Sequence, residues 1–257
     1  MNGSVGRRAA ILSIGDELVQ GQTLDRNSAW LSERLISLGV STIEHRTVAD
    51  DVAAIAAAFS SLAGRASIVI SSGGLGPTPD DLTREAMAIA FDGSPQLVED
   101  ESARATIERW FAGRERPMPE SNRRQALRAP SSRCLPNPHG TAPGLVIERG
   151  HLLVLALPGP PREMQPMFEA EVLPRLGGLG SGEAIAVESV HAFGEGESSL
   201  AERLGELMDR GRNPSVGTAA SPGRVTARIR VTGRPDEAAA LAGSLADEVA
   251  RRWAPFA

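Results

Sequence analysis

The sequence predicts an α/β protein, a mostly parallel sheet layered between helices in an α/β/α arrangement and followed by a small α+β unit. Three observations carry that prediction. Strand-like and helix-like segments alternate from residue 9 to residue 176. A glycine-rich turn, Gly73-Gly74-Leu75-Gly76, follows an apolar β-branched run and precedes a helical pattern. A second glycine tract, Gly177-Gly178-Leu179-Gly180-Ser181-Gly182, reads as a linker, and beyond it the order becomes βαββα. The expected domains are therefore residues 1–178 and 183–257.

Each element has a local reason. Ala9–Ile14 is an apolar run of strand length, and Asn27–Leu38 sets Trp30, Leu31, Leu35 and Leu38 on one helical face. Val40–Val48 is the second strand, after which Asp50 or Asp51 caps a helix through Leu62. Ile68–Ser71 is the third strand. Past the glycine turn, Leu82, Ala86, Met87 and Ala90 recur at helical spacing toward Phe91. Thr78 is expected as the N-cap of this helix, Pro79 as its first residue and Asp81 as the return half of a capping box. Helices are expected over Glu99–Ala112 and Glu120–Leu127. Leu145–Glu148 and Leu152–Leu157 form two strands joined at Arg149-Gly150, and Pro158–Pro161 launches a helix through Leu176. The βαβαβα order implies right-handed crossovers, with ligands at the carboxyl ends of the strands. In the small unit, strands are expected over Ala184–Phe193, Val216–Ala219 and Val225–Val231, with helices over Ser198–Met208 and Asp236–Trp253.

Composition narrows the functional classes. The 257 residues carry a net charge of −5, which gives no global attraction to nucleic acid or anionic membrane. All 27 basic residues are arginine and there is no tyrosine, so lysine Schiff bases, P-loop lysines and catalytic tyrosines are excluded. The single cysteine, Cys134, forms no internal disulfide, and with no signal-like start the expected location is the cytoplasm. No apolar run approaches the roughly twenty residues that span a bilayer.

The glycine turn is where chemistry is expected. Gly73, Gly74 and Gly76 let a ligand approach the backbone, and free amides beside a helix start suit a phosphate. The adjacent carboxylates Asp80 and Asp81 suggest a divalent cation between protein and phosphate, an aspartate of the pair being the expected general base. Ile14-Gly15-Asp16-Glu17-Leu18 ends the first strand and brings Glu17 to the same edge. Asn137, His139 and Thr141 add polar groups from a third loop.

Five tracts together resemble the competence/damage-inducible CinA family, specifically its N-terminal molybdopterin-binding-like domain of the MoaB/MogA type. They are Ile14–Leu18, Ser72–Thr83, Asn122–Ala126, Asn137–Gly144 and Leu157–Met164, in register over about 150 residues. Residues from about 183 onward resemble the KH-like domain that follows in that family. The resemblance implies a self-associating domain, a dimer being favoured, that binds a nucleotide or a pterin-linked one. It implies divalent-metal-dependent cleavage of the diphosphate of ADP-ribose or a similar nucleotide. The alternative it leaves open is molybdopterin or adenylyl-molybdopterin handling without hydrolysis.

Carried over by motif, Gly15, Ser72, Gly73, Gly74 and Gly76 hold phosphate, Asp80 and Asp81 are catalytic, and Glu17 joins them on the metal. Asn137, Gly140 and Thr141 close the site, and Gly159 with Glu163 lines its far side. Pro79 stands where relatives often carry lysine, leaving Arg84, Arg123 or Arg124 to neutralise phosphate charge. The sequence ends at Ala257, before the deamidase domain that many relatives add, so that activity is expected to be absent. In the small unit, Arg224, Thr226, Arg228 and Arg230 share one strand face. No GXXG loop accompanies them, Gly194-Glu195-Gly196-Glu197 being acidic, so nucleic acid is not an expected partner.

Overall fold

A computed structural model describes residues 7–177 and 184–257. They fall into two compact units, taken here one at a time. In the first, the elements run β1 (Arg8–Ile14), α1 (Asp16–Val19), α2 (Arg26–Ser37), β2 (Ser41–Val48), α3 (Val52–Ala63), β3 (Ile68–Ser72) and α4 (Thr83–Asp92). There follow β4 (Val98–Glu99), α5 (Glu101–Ala112), a 3-10 segment Glu120–Ala126, β5 (Leu127–Arg128) and β6 (Arg133–Leu135). The unit closes with β7 (Gly144–Arg149), β8 (Leu152–Leu157), α6 (Pro161–Met167), a π turn Phe168–Val172 and α7 (Leu173–Gly177).

The main sheet has the order β2-β1-β3-β8-β7-β6. Strands β2, β1, β3 and β8 are parallel, and β7 and β6 are added antiparallel through the β7–β8 hairpin. Alternation along the strands divides their side chains between two layers. Ala10, Leu12, Ile14, Val69, Val154 and Ala156 pack with Ile55, Phe59 and Leu62 of α3 and Ala86 and Met87 of α4. The opposite set, including Ile11, Ile70 and Leu155, is equally buried, which leaves α2 and α6 to cover that face. There Trp30 of α2 meets Phe168 edge-on at 5.4 Å between ring centroids, and Arg34 pairs with Glu169 at 2.6 Å.

Most elements match the sequence reading within a few residues; the short helix α1 is absent from that reading, and three further differences stand out. Strand β6 is absent from that reading because Arg133-Cys134-Leu135 is too short to display a period. The short β4–β5 pair is absent for the same reason. The capping box before α4 does not form. That helix starts at Thr83, with Leu82 at its N-cap and no side-chain cap. The Asp81 carboxylate turns away from the helix, accepting from the amides of Gly76 at 2.6 Å and Thr78 at 2.8 Å and from the Thr78 hydroxyl. Of the two candidates Asp50 and Asp51, it is Asp51 that caps α3, accepting from the Ala54 amide at 2.7 Å. Of the linker expected over residues 177–182, residue 177 ends α7 and residues 178–182 lie outside the described residues.

The second unit contains β9 (Ala184–Phe193), α8 (Glu197–Leu204), a 3-10 turn Gly205–Met208, β10 (Ser215–Ser221), β11 (Arg224–Gly233) and α9 (Pro235–Trp253). Its sheet, β10-β11-β9, is antiparallel. Val225, Ala227, Ile229 and Val231 pack with Leu200, Leu204, Ala242, Val249 and Trp253, and the Trp253 indole N–H donates to the Leu200 carbonyl at 2.9 Å. Arg224 and Arg228 alternate with that apolar set and are exposed. Among the described residues no helix is long and apolar enough to cross a membrane.

Candidate functional site

A cleft of about 790 Å³ opens where β1, β3 and β8 end. The parallel register forces this position, because the three strands deliver the loops after Ile14, Ser72 and Leu157 to one edge. Of the residues singled out from sequence, Gly15, Glu17, Ser72, Gly73, Gly74, Gly76, Asp80, Asp81, Thr141, Gly159 and Glu163 line this cleft. Asn137 and Gly140 do not. They line a neighbouring cavity of about 390 Å³ on the other side of the third loop, with Thr141 shared between the two. His139 is exposed and lines neither.

The glycine turn is built from its own hydrogen bonds. The Gly73 amide donates to the Leu157 carbonyl at 3.1 Å, and the Thr83 hydroxyl donates to the Gly73 carbonyl at 2.9 Å. Gly73 has φ +108°, and a Cβ there would strike the Ile14 carbonyl oxygen. The amides of Gly74 and Leu75 have no acceptor among the described residues. Two consecutive open amides form a concavity suited to an anion.

Three of the other site glycines have a role that sequence reasoning missed. A Cβ at Gly15 would meet the Glu17 carboxylate at 2.6 Å, and one at Gly76 or Gly140 would overlap the carboxylate of Asp81 or Glu163 respectively. Each of these glycines makes room for a protein carboxylate, not directly for a ligand.

Two arginines brace the turn from behind. Arg84, only 1% exposed, donates to the carbonyls of Leu75 at 2.5 Å and Gly76 at 3.2 Å. Burial lowers its pKa to about 10, against the pull of Glu85 and Asp81. Arg124 donates to the carbonyls of Thr78 and Asp81 and pairs with Glu85 at 2.9 Å. Arg123 faces outward and pairs with Glu120 at 3.2 Å. None of the three lines the cleft, which corrects the expectation that they neutralise a bound phosphate. Their donors are committed to backbone carbonyls and to glutamates.

The cleft is instead acidic. Glu17, Asp25, Asp50, Asp80, Asp81 and Glu163 line it, and among the described residues Arg26 is the one basic group in the lining. These carboxylates differ in how much acceptor capacity they retain. Asp81 has spent three of its roughly four lone-pair sites on the turn, so it shapes the loop and is a poor free base or metal ligand. Asp25 accepts from the Ser13 hydroxyl at 2.6 Å, the Ser28 amide at 2.9 Å and the Ser28 hydroxyl at 2.5 Å. Burial pushes its pKa up, but these bonds outweigh burial and hold it below the ordinary range. The Thr78 side chain and its own backbone amide keep the Asp80 carboxyl below its usual value, so Asp80 is ionised at neutral pH.

Asp50 was visible in the sequence only as a helix cap, and the structure puts it in the cleft. Its carboxylate accepts from the Asp16 amide at 3.0 Å while its own amide donates to Asp16 at 3.1 Å. Burial raises its pKa. The Asp16 amide opposes that shift, and the charges of Asp16, Glu17 and Asp80 add to it. Asn27 was likewise missed, because a lone asparagine at a helix start reads as capping. Among the described residues, no group of three or more His, Cys, Asp and Glu side chains gathers to hold a metal ion unaided.

Residues 10–178 match the family described as the probable molybdopterin binding domain, and residues 188–256 match the damage-inducible protein CinA KH domain. A CinA-like protein of Deinococcus deserti is 42% identical over 250 residues, 95% of this chain and 61% of its own length. A CinA-like protein of Dictyoglomus thermophilum is 39% identical over 252 residues, 97% of this chain and 60% of its own. The chain thus spans about three fifths of the length of these relatives. The crystal structure of CinA from Thermoplasma acidophilum superposes with a TM-score of 0.61 at 34% identity, covering 66% of this chain and 98% of that one.

Proposed function

Since the chain belongs to the family of probable molybdopterin-binding domains and carries a CinA-type KH domain, we propose that its cleft binds and hydrolyses a nucleotide diphosphate, with ADP-ribose or a close analogue as substrate. The observation that carries this reading is the pair of open amides at Gly74 and Leu75, which line the same cleft as a set of unequally committed carboxylates. The amides would take the non-bridging phosphate oxygens and stabilise charge that grows there during attack. Asp50, oriented by Asp16 and made more basic by burial and neighbouring charge, would accept the proton of the attacking water. The water oxygen bonds to phosphorus, the bridging P–O bond breaks, and AMP and ribose 5-phosphate leave.

An acidic cleft repels a diphosphate unless a cation accompanies it. Magnesium-like ions bind through one or two carboxylates plus substrate phosphates, and Glu17 and Asp80 fit that requirement without a preformed cage. Such a cation would neutralise phosphate charge and acidify bound water. Incubation with ADP-ribose and magnesium or manganese should release AMP and ribose 5-phosphate in equal amounts, and EDTA should stop the release. Asp80→Asn and Asp50→Asn should each lower kcat by about a hundredfold or more.

The description of the matched family favours a second reading, molybdopterin binding without hydrolysis. Tight molybdopterin binding with no AMP release would select it, and failure to bind either ligand would remove both. The proposal also includes a homodimer in the cytoplasm, which analytical ultracentrifugation and cell fractionation test.

A further inference from the structure

The side chain of Asn27, at the second position of α2, spans two walls of the cleft. Its amide nitrogen donates to the Ser72 hydroxyl oxygen at 2.8 Å and to the Gly159 carbonyl at 2.8 Å. The Gly159 carbonyl accepts only, so the NH2 group must face it and the amide cannot flip. Both N–H bonds are therefore used. The remaining oxygen, Oδ1, has no donor among the described residues and is not one of the buried polar atoms left unpartnered, so it is open to solvent on a residue that lines the cleft. A fixed, exposed acceptor is costly to desolvate unless the ligand supplies a donor.

Position restricts what that donor is. Ser72, on which Asn27 is anchored, lies two residues before Gly74, the first open amide, and Cα atoms two residues apart are at most about 7 Å from each other. The sugar hydroxyls are the donors of a nucleotide nearest its phosphate, so a phosphate held at Gly74 carries them along the cleft wall on which Asn27 stands.

Resting on the nucleotide reading above, we propose that Asn27 Oδ1 accepts a hydrogen bond from a sugar hydroxyl of the bound nucleotide and selects hydroxylated sugars over deoxygenated ones. Asn27 is then a specificity-determining residue that also ties the β3 end to the Gly159 loop. The test compares the Kd of ADP with that of 2′,3′-dideoxy-ADP by calorimetry, both with magnesium. The wild-type protein should prefer ADP by roughly three- to tenfold, the worth of one hydrogen bond. Asn27→Ala should bring that ratio to about one. Loosening of the Ser72–Gly159 tie weakens both ligands alike and leaves the ratio untouched, so the ratio isolates the hydroxyl contact. A ratio unchanged in Asn27→Ala, or equal binding of the two ligands by wild type, overturns the inference. No binding of either by wild type overturns the nucleotide reading instead.

Discussion

The two loops beside the cleft are made from the same kinds of residue, yet the glycine turn leaves two backbone amides open while the Asn137 side chain of the third loop is spent on the loop itself. In the glycine turn, Asp81, Arg84 and Arg124 satisfy the outward-facing groups and leave the Gly74 and Leu75 amides open. In the third loop, the Asn137 amide donates to the Ala142 carbonyl at 2.9 Å and to Glu163 at 2.8 Å, and its oxygen accepts from the His139 amide at 3.0 Å. Asn137 is thereby a knot that holds the wall of the cleft, and it has nothing to offer a ligand. Its neighbour Gly140 serves the same knot by leaving room for the Glu163 carboxylate. Membership of a motif does not separate these cases. The count of donors and acceptors left over does.

The sharpest way to break this contrast is Gly73→Ala. A side chain at φ +108° that also strikes the Ile14 carbonyl should cost about 3 kcal/mol or more, read from the urea midpoint, and nucleotide binding should go with it. A mild loss would mean the turn is not rigidly built.

Arg124→Ala frees the carbonyls of Thr78 and Asp81 and removes the partner of Glu85, whose second carboxylate oxygen is already buried without one. It should cost about 1–3 kcal/mol and weaken ligand binding about tenfold, as the brace behind the open amides slackens.

Asp50→Asn separates stability from chemistry. The folded-state pKa of Asp50 lies above its ordinary 3.8, so its contribution to stability is full below that value and is lost as pH rises through the folded pKa. The asparagine variant should lack this part of the decline, giving a flatter melting-temperature profile above about pH 4, even as hydrolysis falls. The smallest effect belongs to Arg123→Ala. This exposed neighbour of Arg124 should change stability by at most about 0.5 kcal/mol and leave nucleotide binding intact.

What the sequence by itself determined is whatever depends on short-range pattern. The strands ending at Ile14 and Leu157, the cap at Asp51 and the alternation of β11 follow from burial period and local hydrogen bonding. So does the place of the cleft, because parallel strands with helical crossovers can only gather their following loops at the carboxyl edge. Tertiary structure alone decided which polar groups remain available there. Asp81 and Asp80 are adjacent in the chain, yet one is bound into the turn and the other is exposed. Arg123 and Arg124 are adjacent too, and one faces solvent while the other braces the turn. Asp50 and Asn27 enter the cleft from segments whose local pattern announced only helix starts. Hydrogen-bond partners up to 132 residues apart set these outcomes, and no local period encodes a contact of that range.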